Sequence, residues 1–271
     1  MNGSEYCFFN GEMLRYDELC LHVSDLLFQR GYGVFDFFRT RNGELTWLDD
    51  YLDRFFNSLE LAGIDPGVSR RELTEQIRTL KSKNSLDNGA FKLIATGGYS
   101  DNLESVTGPA NLLVLNRPWK RPPAETREKG VSLVTDRFVR PNPEIKSLYY
   151  LNSLRLRERM EAHRAVDVLY HTDLISETSR ANLFFVRGDR ISTPTTHILK
   201  GITRKHVLKL FQVIHVEDIA FQRLHEFDEI FMTSTSRDVT PVCEIDGRKV
   251  GKGVPGEFTR EIMAAFAEQG W

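Results

Sequence analysis

Lys146 stands in EIKSLYYLNS, residues 144–153, a single lysine among apolar and aromatic residues just after a proline-rich loop. Such a lysine can lay its butyl stem on apolar surface and keep its ammonium in water. Held near an electrophile instead, with its basicity lowered by burial, it can form a Schiff base. Three further stretches carry comparable chemistry. In LISETSRANLFF, residues 174–185, Glu177 follows an apolar strand and precedes small polar residues. It reads either as a strand-end surface charge or as an acid able to pair with a ring nitrogen. In LKGITRKHVLKLF, residues 199–211, Gly201 leads into the first turn of a helix. Free backbone N–H groups there favour an anion, and a plain Thr203 cap is the ordinary alternative. FMTSTSRDVTPV, residues 231–242, is a hydroxyl-rich turn leaving a strand. Turns of this kind can donate several hydrogen bonds to a phosphate, but they are also common in plain loops. A lysine that can form an imine, an acid for a ring nitrogen and two anion cradles together suit pyridoxal phosphate, an electron sink deepened by a carboxylate at its pyridine nitrogen.

These residues need elements to position them. YCFFNGEML carries Asn10-Gly11 between apolar runs, a hairpin signal, and VFDFFRTRNGELTWL repeats it with Asn42-Gly43. In LDDYLDRFFNSLELAGI, Leu48, Tyr51, Leu52, Phe55 and Leu59 recur at helical spacing, with aspartates at the start and Gly63 to stop the helix. RRELTEQIRTLKSK predicts a second helix, and AFKLIATGGY and ANLLVLNR predict strands. Residues 116–130, NRPWKRPPAETREKG, are proline-rich and charged with no apolar period, as an interdomain linker would be. The second half has more strands: VSLVTDRFV, AVDVLYHT, ANLFFVRGDRIST, EIFMTST and PVCEIDGRKV. Helices are expected at SLYYLNSLRLRERMEAH, TRKHVLKLFQ and EFTREIMAAFAEQ. The expected organisation is an N-terminal α/β domain over 1–117, a linker over 118–128 and a C-terminal domain over 129–271. The fold class is α/β plus α+β, with the cleft between the domains as the default ligand site.

Composition narrows the partners. The chain has 271 residues, 41% apolar and 27% charged, which suits folded domains rather than disorder. Lys+Arg at 36 against Asp+Glu at 38 leaves a net charge of -2 with no long block of one sign. Nucleic acid is therefore not expected as the main partner. Three widely spaced cysteines, Cys7, Cys20 and Cys243, offer neither a zinc spacing nor a disulfide framework, which fits a reducing cytoplasm. The start MNGSEYCFFNGEML lacks the basic and apolar regions of a signal peptide, and no run approaches the roughly 18 apolar residues of a membrane span. No G-x-S-x-G elbow and no HExxH metal site occurs, so hydrolase and metal chemistry are not expected.

The motifs resemble those of the class IV pyridoxal-phosphate aminotransferases. ETSRANLFF is similar to that family's E-x-[ST]-x-[SA]-N-[LF]-F element, IKSLYYLN to its lysine element, GITR at 201–204 and TSTSRDVTPV at 233–242 to its two phosphate turns. GVFDFFR and YLDRFF resemble two early family segments, and the six matches fall in family order across nearly the whole chain. The resemblance implies the two-domain fold type IV, with pyridoxal 5′-phosphate in the interdomain cleft and a homodimer. It implies that Lys146 binds the cofactor and shuttles the α-proton, and that Glu177 pairs with the pyridine nitrogen. It further implies that Arg54, the backbone of Ile202 and Thr203, and Ser234 and Thr235 hold the phosphate. For Arg54 a surface ion pair with Asp50, four residues earlier, is the competing explanation.

The chain also departs from the family. Tyr149 and Tyr150 stand where asparagine is usual, and Asp36 stands where glutamate is usual. Arg30, Lys92 and Arg180 are cations at positions where members often differ. An amino-acid substrate needs its carboxylate held, and these three, with Ser236, are the candidates. The implied substrates are an amino acid and a 2-oxo acid. D-amino acids are expected slightly ahead of branched-chain L-amino acids, and a 4-amino-4-deoxychorismate lyase is the alternative. A binding protein with a degenerate site fits less well, because the lysine, glutamate and phosphate elements are all present.

Overall fold

Asn10 and Gly11 take positive φ angles of 49° and 85°, the two-residue turn whose twist matches its flanking strands. The turn joins β1 (Tyr6–Phe9) to β2 (Glu12–Arg15). After α1 (Leu26–Arg30), Asn42 and Gly43 close a second hairpin in the same way, between β3 (Gly33–Arg41) and β4 (Glu44–Leu45). Two helices follow: α2 (Leu48–Ala62), ended by Gly63 at φ 65°, and α3 (Arg70–Asn84), started by a Ser69/Glu72 capping box. Then come β5 (Gly89–Thr96) and β6 (Asn111–Pro118). The six strands form one antiparallel sheet in the order β2-β1-β6-β5-β3-β4. Val34 and Phe38 of β3, Phe91, Leu93 and Ala95 of β5 and Val114 of β6 alternate onto one buried face. Leu52 and Phe55 of α2 and Leu73, Ile77 and Leu80 of α3 are buried with them. The other face carries Phe35, Phe37 and Lys92, since Phe37 pairs directly with Lys92.

This computed structural model describes residues 5–268. The chain divides into two compact units, the first of residues 5–120 with 145–149, the second of residues 121–144 with 150–268. The stretch expected to be an interdomain linker holds one helical turn, α4 (Ala124–Glu128), because AETRE consists largely of helix formers set behind two prolines.

The second unit continues with β7 (Val131–Arg137), α5 (Leu151–Arg155), α6 (Arg157–Ala162), β8 (Ala165–His171), β9 (Leu174–Thr178), β10 (Asn182–Arg187), β11 (Arg190–Thr193), α7 (Ile202–Leu210), β12 (His215–Val216), β13 (Ile219–Ala220), β14 (Glu229–Ser234), β15 (Asp238–Ile245), β16 (Arg248–Lys249) and α8 (Glu257–Glu268). Its strands run β12-β11-β10-β14-β15-β7-β8-β9-β13, with β16 beside β15, and β7 lies parallel to both β8 and β15. The core on one face includes Leu133, Leu169, Leu183, Phe185, Ile230 and Met232. The single helix expected over SLYYLNSLRLRERMEAH is a correction: residues 147–150 lie outside any helix, with Ser147 bridged to Val34, and the rest breaks into α5 and α6 at Leu156, whose φ of -92° and ψ of 9° leave the helical region.

Candidate active site

In the first unit, residues 145–149 lie as a short strip along the start of β3. Phe35 N donates to the Lys146 carbonyl at 2.9 Å, Leu148 N to the Gly33 carbonyl at 3.1 Å, and Lys146 N to Ser58 Oγ at 3.2 Å. Gly33 allows this approach, because a Cβ there would meet Leu148 Cδ1 at 2.9 Å and the Ala95 carbonyl at 3.0 Å. The strip sets Lys146 Nζ 4.6 Å from the centre of the Phe35 ring, and Lys92 Nζ lies 5.0 Å from the same ring. An aromatic face attracts ammonium groups without offering them a proton acceptor. Burial lowers the basicity of Lys92.

Arg54 is held by Asp36. Its Nε donates to Asp36 Oδ2 at 2.9 Å and its Nη2 to Oδ1 at 2.7 Å, with the carboxylate fully buried. Asp36, at the position where the family pattern has glutamate, thus aims the arginine through a bidentate fork. Arg30, at the end of α1, is half exposed, with Glu104 at 3.9 Å.

In the second unit the chemistry gathers at one end of the sheet. Asn182 at the start of β10 pairs with Thr233 near the end of β14, so the β9–β10 turn and the β14–β15 turn pass the same end. Glu177, near the end of β9, is buried. Its Oε1 accepts from Arg140 Nε at 3.0 Å and its Oε2 from Leu199 N at 2.8 Å. Arg140 also donates to the Pro143 carbonyl. The sequence reading missed Arg140, whose only local signal is an arginine in a proline-rich loop shortly before Lys146.

At the same end, α7 begins at Gly201, which makes no side-chain cap bond to the first turn. Thr203 is not the cap but the second residue of the helix. A Cβ on Gly201 would overlap Asn182 Oδ1, and Asn182 Nδ2 is fixed by the Leu199 carbonyl at 2.8 Å. Arg204, buried in that turn, donates to Thr193 Oγ1 and the Pro194 carbonyl. Among the described residues, Thr203 Oγ1, Thr233 Oγ1 and Ser234 Oγ are buried hydroxyl oxygens with no hydrogen-bond partner. Leaving such a group unmatched costs about 1–3 kcal/mol. Thr203 lies in the first turn of the uncapped α7, and Ser234 enters the β14–β15 turn at the same end of the sheet, so these orphaned hydroxyls fit a phosphate. Burial pushes the Tyr150 hydroxyl up to about 12, with Arg140 acting against that shift, so Tyr150 stays a donor at neutral pH. Arg180 is engaged elsewhere, with Nη2 donating to the Val166 carbonyl at 2.7 Å and Nε 3.5 Å from Asp167.

Residues 33–245 match the family model described as amino-transferase class IV. The chain belongs to the class IV aminotransferases. Among class IV relatives, the D-alanine aminotransferase of Bacillus licheniformis is 31% identical over 268 residues, covering 95% of this chain and 94% of the relative. That of Staphylococcus aureus (strain MW2) is 29% identical over 273 residues, covering 97% and 96%. The solved branched-chain amino acid aminotransferase of Escherichia coli superposes with a TM-score of 0.87 at 26% identity, covering 98% of this chain and 94% of that one. The T.th. branched-chain enzyme, solved with pyridoxamine 5′-phosphate, gives 0.88 at 25% identity with the same coverage. The two-sheet architecture of this aminotransferase is that of fold type IV.

Proposed function

We propose that this aminotransferase moves the amino group of an amino acid, with D-amino acids preferred, to a 2-oxo acid by means of pyridoxal 5′-phosphate. The observation that carries the D-preference is the near full-length similarity to D-alanine aminotransferases. When bound, the cofactor supplies the electron sink that makes the α C–H bond of an amino acid breakable. Lys146 would hold it and would move the proton at the substrate α-carbon. Glu177, with the charge of Arg140 beside it, would accept from the ring nitrogen. The N–H groups of Ile202 and Thr203, the hydroxyls of Thr203, Ser234 and Thr235, and the guanidinium of Arg54 would bind the phosphate. Arg30, Lys92, Arg180 and Ser236 are the sequence candidates for the substrate carboxylate, and of these Lys92 is the one that shares the Phe35 ring with Lys146. A cytoplasmic homodimer belongs to the same reading.

The test is the visible spectrum of the holoenzyme after D- or L-alanine is added without a 2-oxo acid. Loss of the lysine-bound band with the D-enantiomer, and slower or no loss with the L-enantiomer, is the expected result. The reverse order sinks the D-preference. A band unmoved by either enantiomer sinks the transaminase reading and makes aminodeoxychorismate the next substrate to try.

A further inference from the structure

The charges at the loaded end of the second sheet do not cancel. Arg140 is matched by Glu177, and Arg180 by Asp167. Arg237 has no such match. It lies in the turn between β14 and β15, half-buried, and among the described residues its guanidinium makes no hydrogen bond or ion pair. The turn itself is fixed, with Arg237 N donating to the Ser234 carbonyl at 3.3 Å and the Arg237 carbonyl accepting from Thr240 Oγ1 at 2.8 Å.

Asp167 cannot serve as its counter-ion. Asp167 Oδ1 already accepts from Val168 N and from the Ser179 hydroxyl, and Oδ2 from Thr178 Oγ1 at 3.0 Å, with Arg180 Nε beside it. Burial disfavours the Arg237 cation, and the nearby Arg180 adds repulsion that Asp167 only partly offsets. A desolvated charge held without a partner is costly unless a ligand brings the opposite charge. Arg237 is two residues beyond Thr235 and three beyond Ser234, whose hydroxyl is one of the orphaned donors.

We propose that Arg237 binds a carboxylate of the substrate. The inference rests on the transaminase reading and adds a specificity residue that the sequence reading missed. A planar guanidinium with both edges uncommitted can meet a carboxylate through two parallel hydrogen bonds. One unmatched positive charge calls for one anionic group.

The experiment titrates the holoenzyme calorimetrically with succinate and with propionate, which carry carboxylates but no amine to transfer. Wild type, Arg237→Gln and Arg237→Lys are compared, and the affinity of each for pyridoxal phosphate is measured alongside. In Arg237→Gln at least one of the two acids should bind about ten- to a hundredfold more weakly, with cofactor affinity retained. Arg237→Lys should fall between, because it keeps the charge and loses the fork. Weakening of both acids assigns the carboxylate that every amino acid carries, and weakening of succinate alone assigns a side-chain carboxylate. Unchanged binding of both acids to Arg237→Gln overturns the proposal, as does a loss confined to the cofactor. Truncation leaves no carboxylate stranded, so the glutamine variant should fold. If it does not, an Arg237→Lys enzyme that binds both acids as tightly as wild type overturns the proposal by itself. These titrations need no turnover, so a failed half-reaction with alanine indicts the transaminase reading and not Arg237.

Discussion

Glu177 is a buried carboxylate, and its charge is tolerable because Arg140 and the Leu199 N–H meet it from two sides. Removing one partner of a buried ion pair leaves the other charge uncompensated, at a cost of about 3–5 kcal/mol. Arg140→Met should therefore lower the free energy of unfolding by that order, read as a lower urea midpoint. It should also weaken cofactor binding, because a carboxylate without its cation is drawn towards the protonated form and then has no charge to offer a ring nitrogen. Arg140→Lys should recover part of both losses. An unchanged midpoint and unchanged cofactor affinity in the methionine variant would show that the pair contributes nothing. Glu177 and Lys146 could be singled out in the sequence as candidates because each sits in a short, recognisable run of local neighbours. Arg140, Arg237 and the Asp36–Arg54 fork could not, because each depends on which distant residue does or does not stand opposite. Asp36 and Arg54 are 18 positions apart on different elements, and nothing local announces that they meet.

At the scale of elements, the orphaned hydroxyls matter only if α7 starts where it does. Its start is set by the contact of Gly201 with Asn182, a residue itself locked by the Leu199 carbonyl. Gly201→Ala drives a methyl group into Asn182 Oδ1, so either the amide gives up its bond or the first turn of α7 moves. Overpacking of this kind costs about 1–3 kcal/mol. Cofactor affinity should fall in Gly201→Ala, and adding Asn182→Ala should restore part of it by making room. A double-mutant cycle measured on the dissociation constant of pyridoxal phosphate reads the coupling. Strictly additive effects would mean that the two residues do not set the helix start together. The helix and both hairpins were visible in advance, since Asn-Gly turns, capping residues and apolar periods are local signals. The break at Leu156 was not, because the apolar period runs straight through it while Ser147 and Leu148 are drawn into pairing with Gly33 and Val34.

At the scale of the whole chain, the first unit is discontinuous: residues 5–120 acquire 145–149 from the far side of α4 and β7. A boundary read from composition is a cut at one place in a line, so it cannot assign a five-residue strip that lies beyond the cut. The strip brings backbone hydrogen bonds to Phe35 N and the Gly33 carbonyl and a further bond to Ser58, and it carries Lys146 with it. At a net worth of about 0.5–1.5 kcal/mol for each bond, three bonds amount to about 1.5–4.5 kcal/mol. A chain of residues 1–120 alone should therefore be less stable than the same chain with residues 144–150 joined after Lys120 by a flexible glycine-serine linker. Closing such a loop costs only a slowly growing entropy, so most of that difference should survive as a higher urea midpoint. Replacing Ser58 by alanine should narrow the gap, because one of the three bonds is then absent from both chains. Equal midpoints for the two chains would mean that the strip adds no stability to the first unit. The placement of Lys146 beside Phe35 would then need a support other than the strip's own pairing.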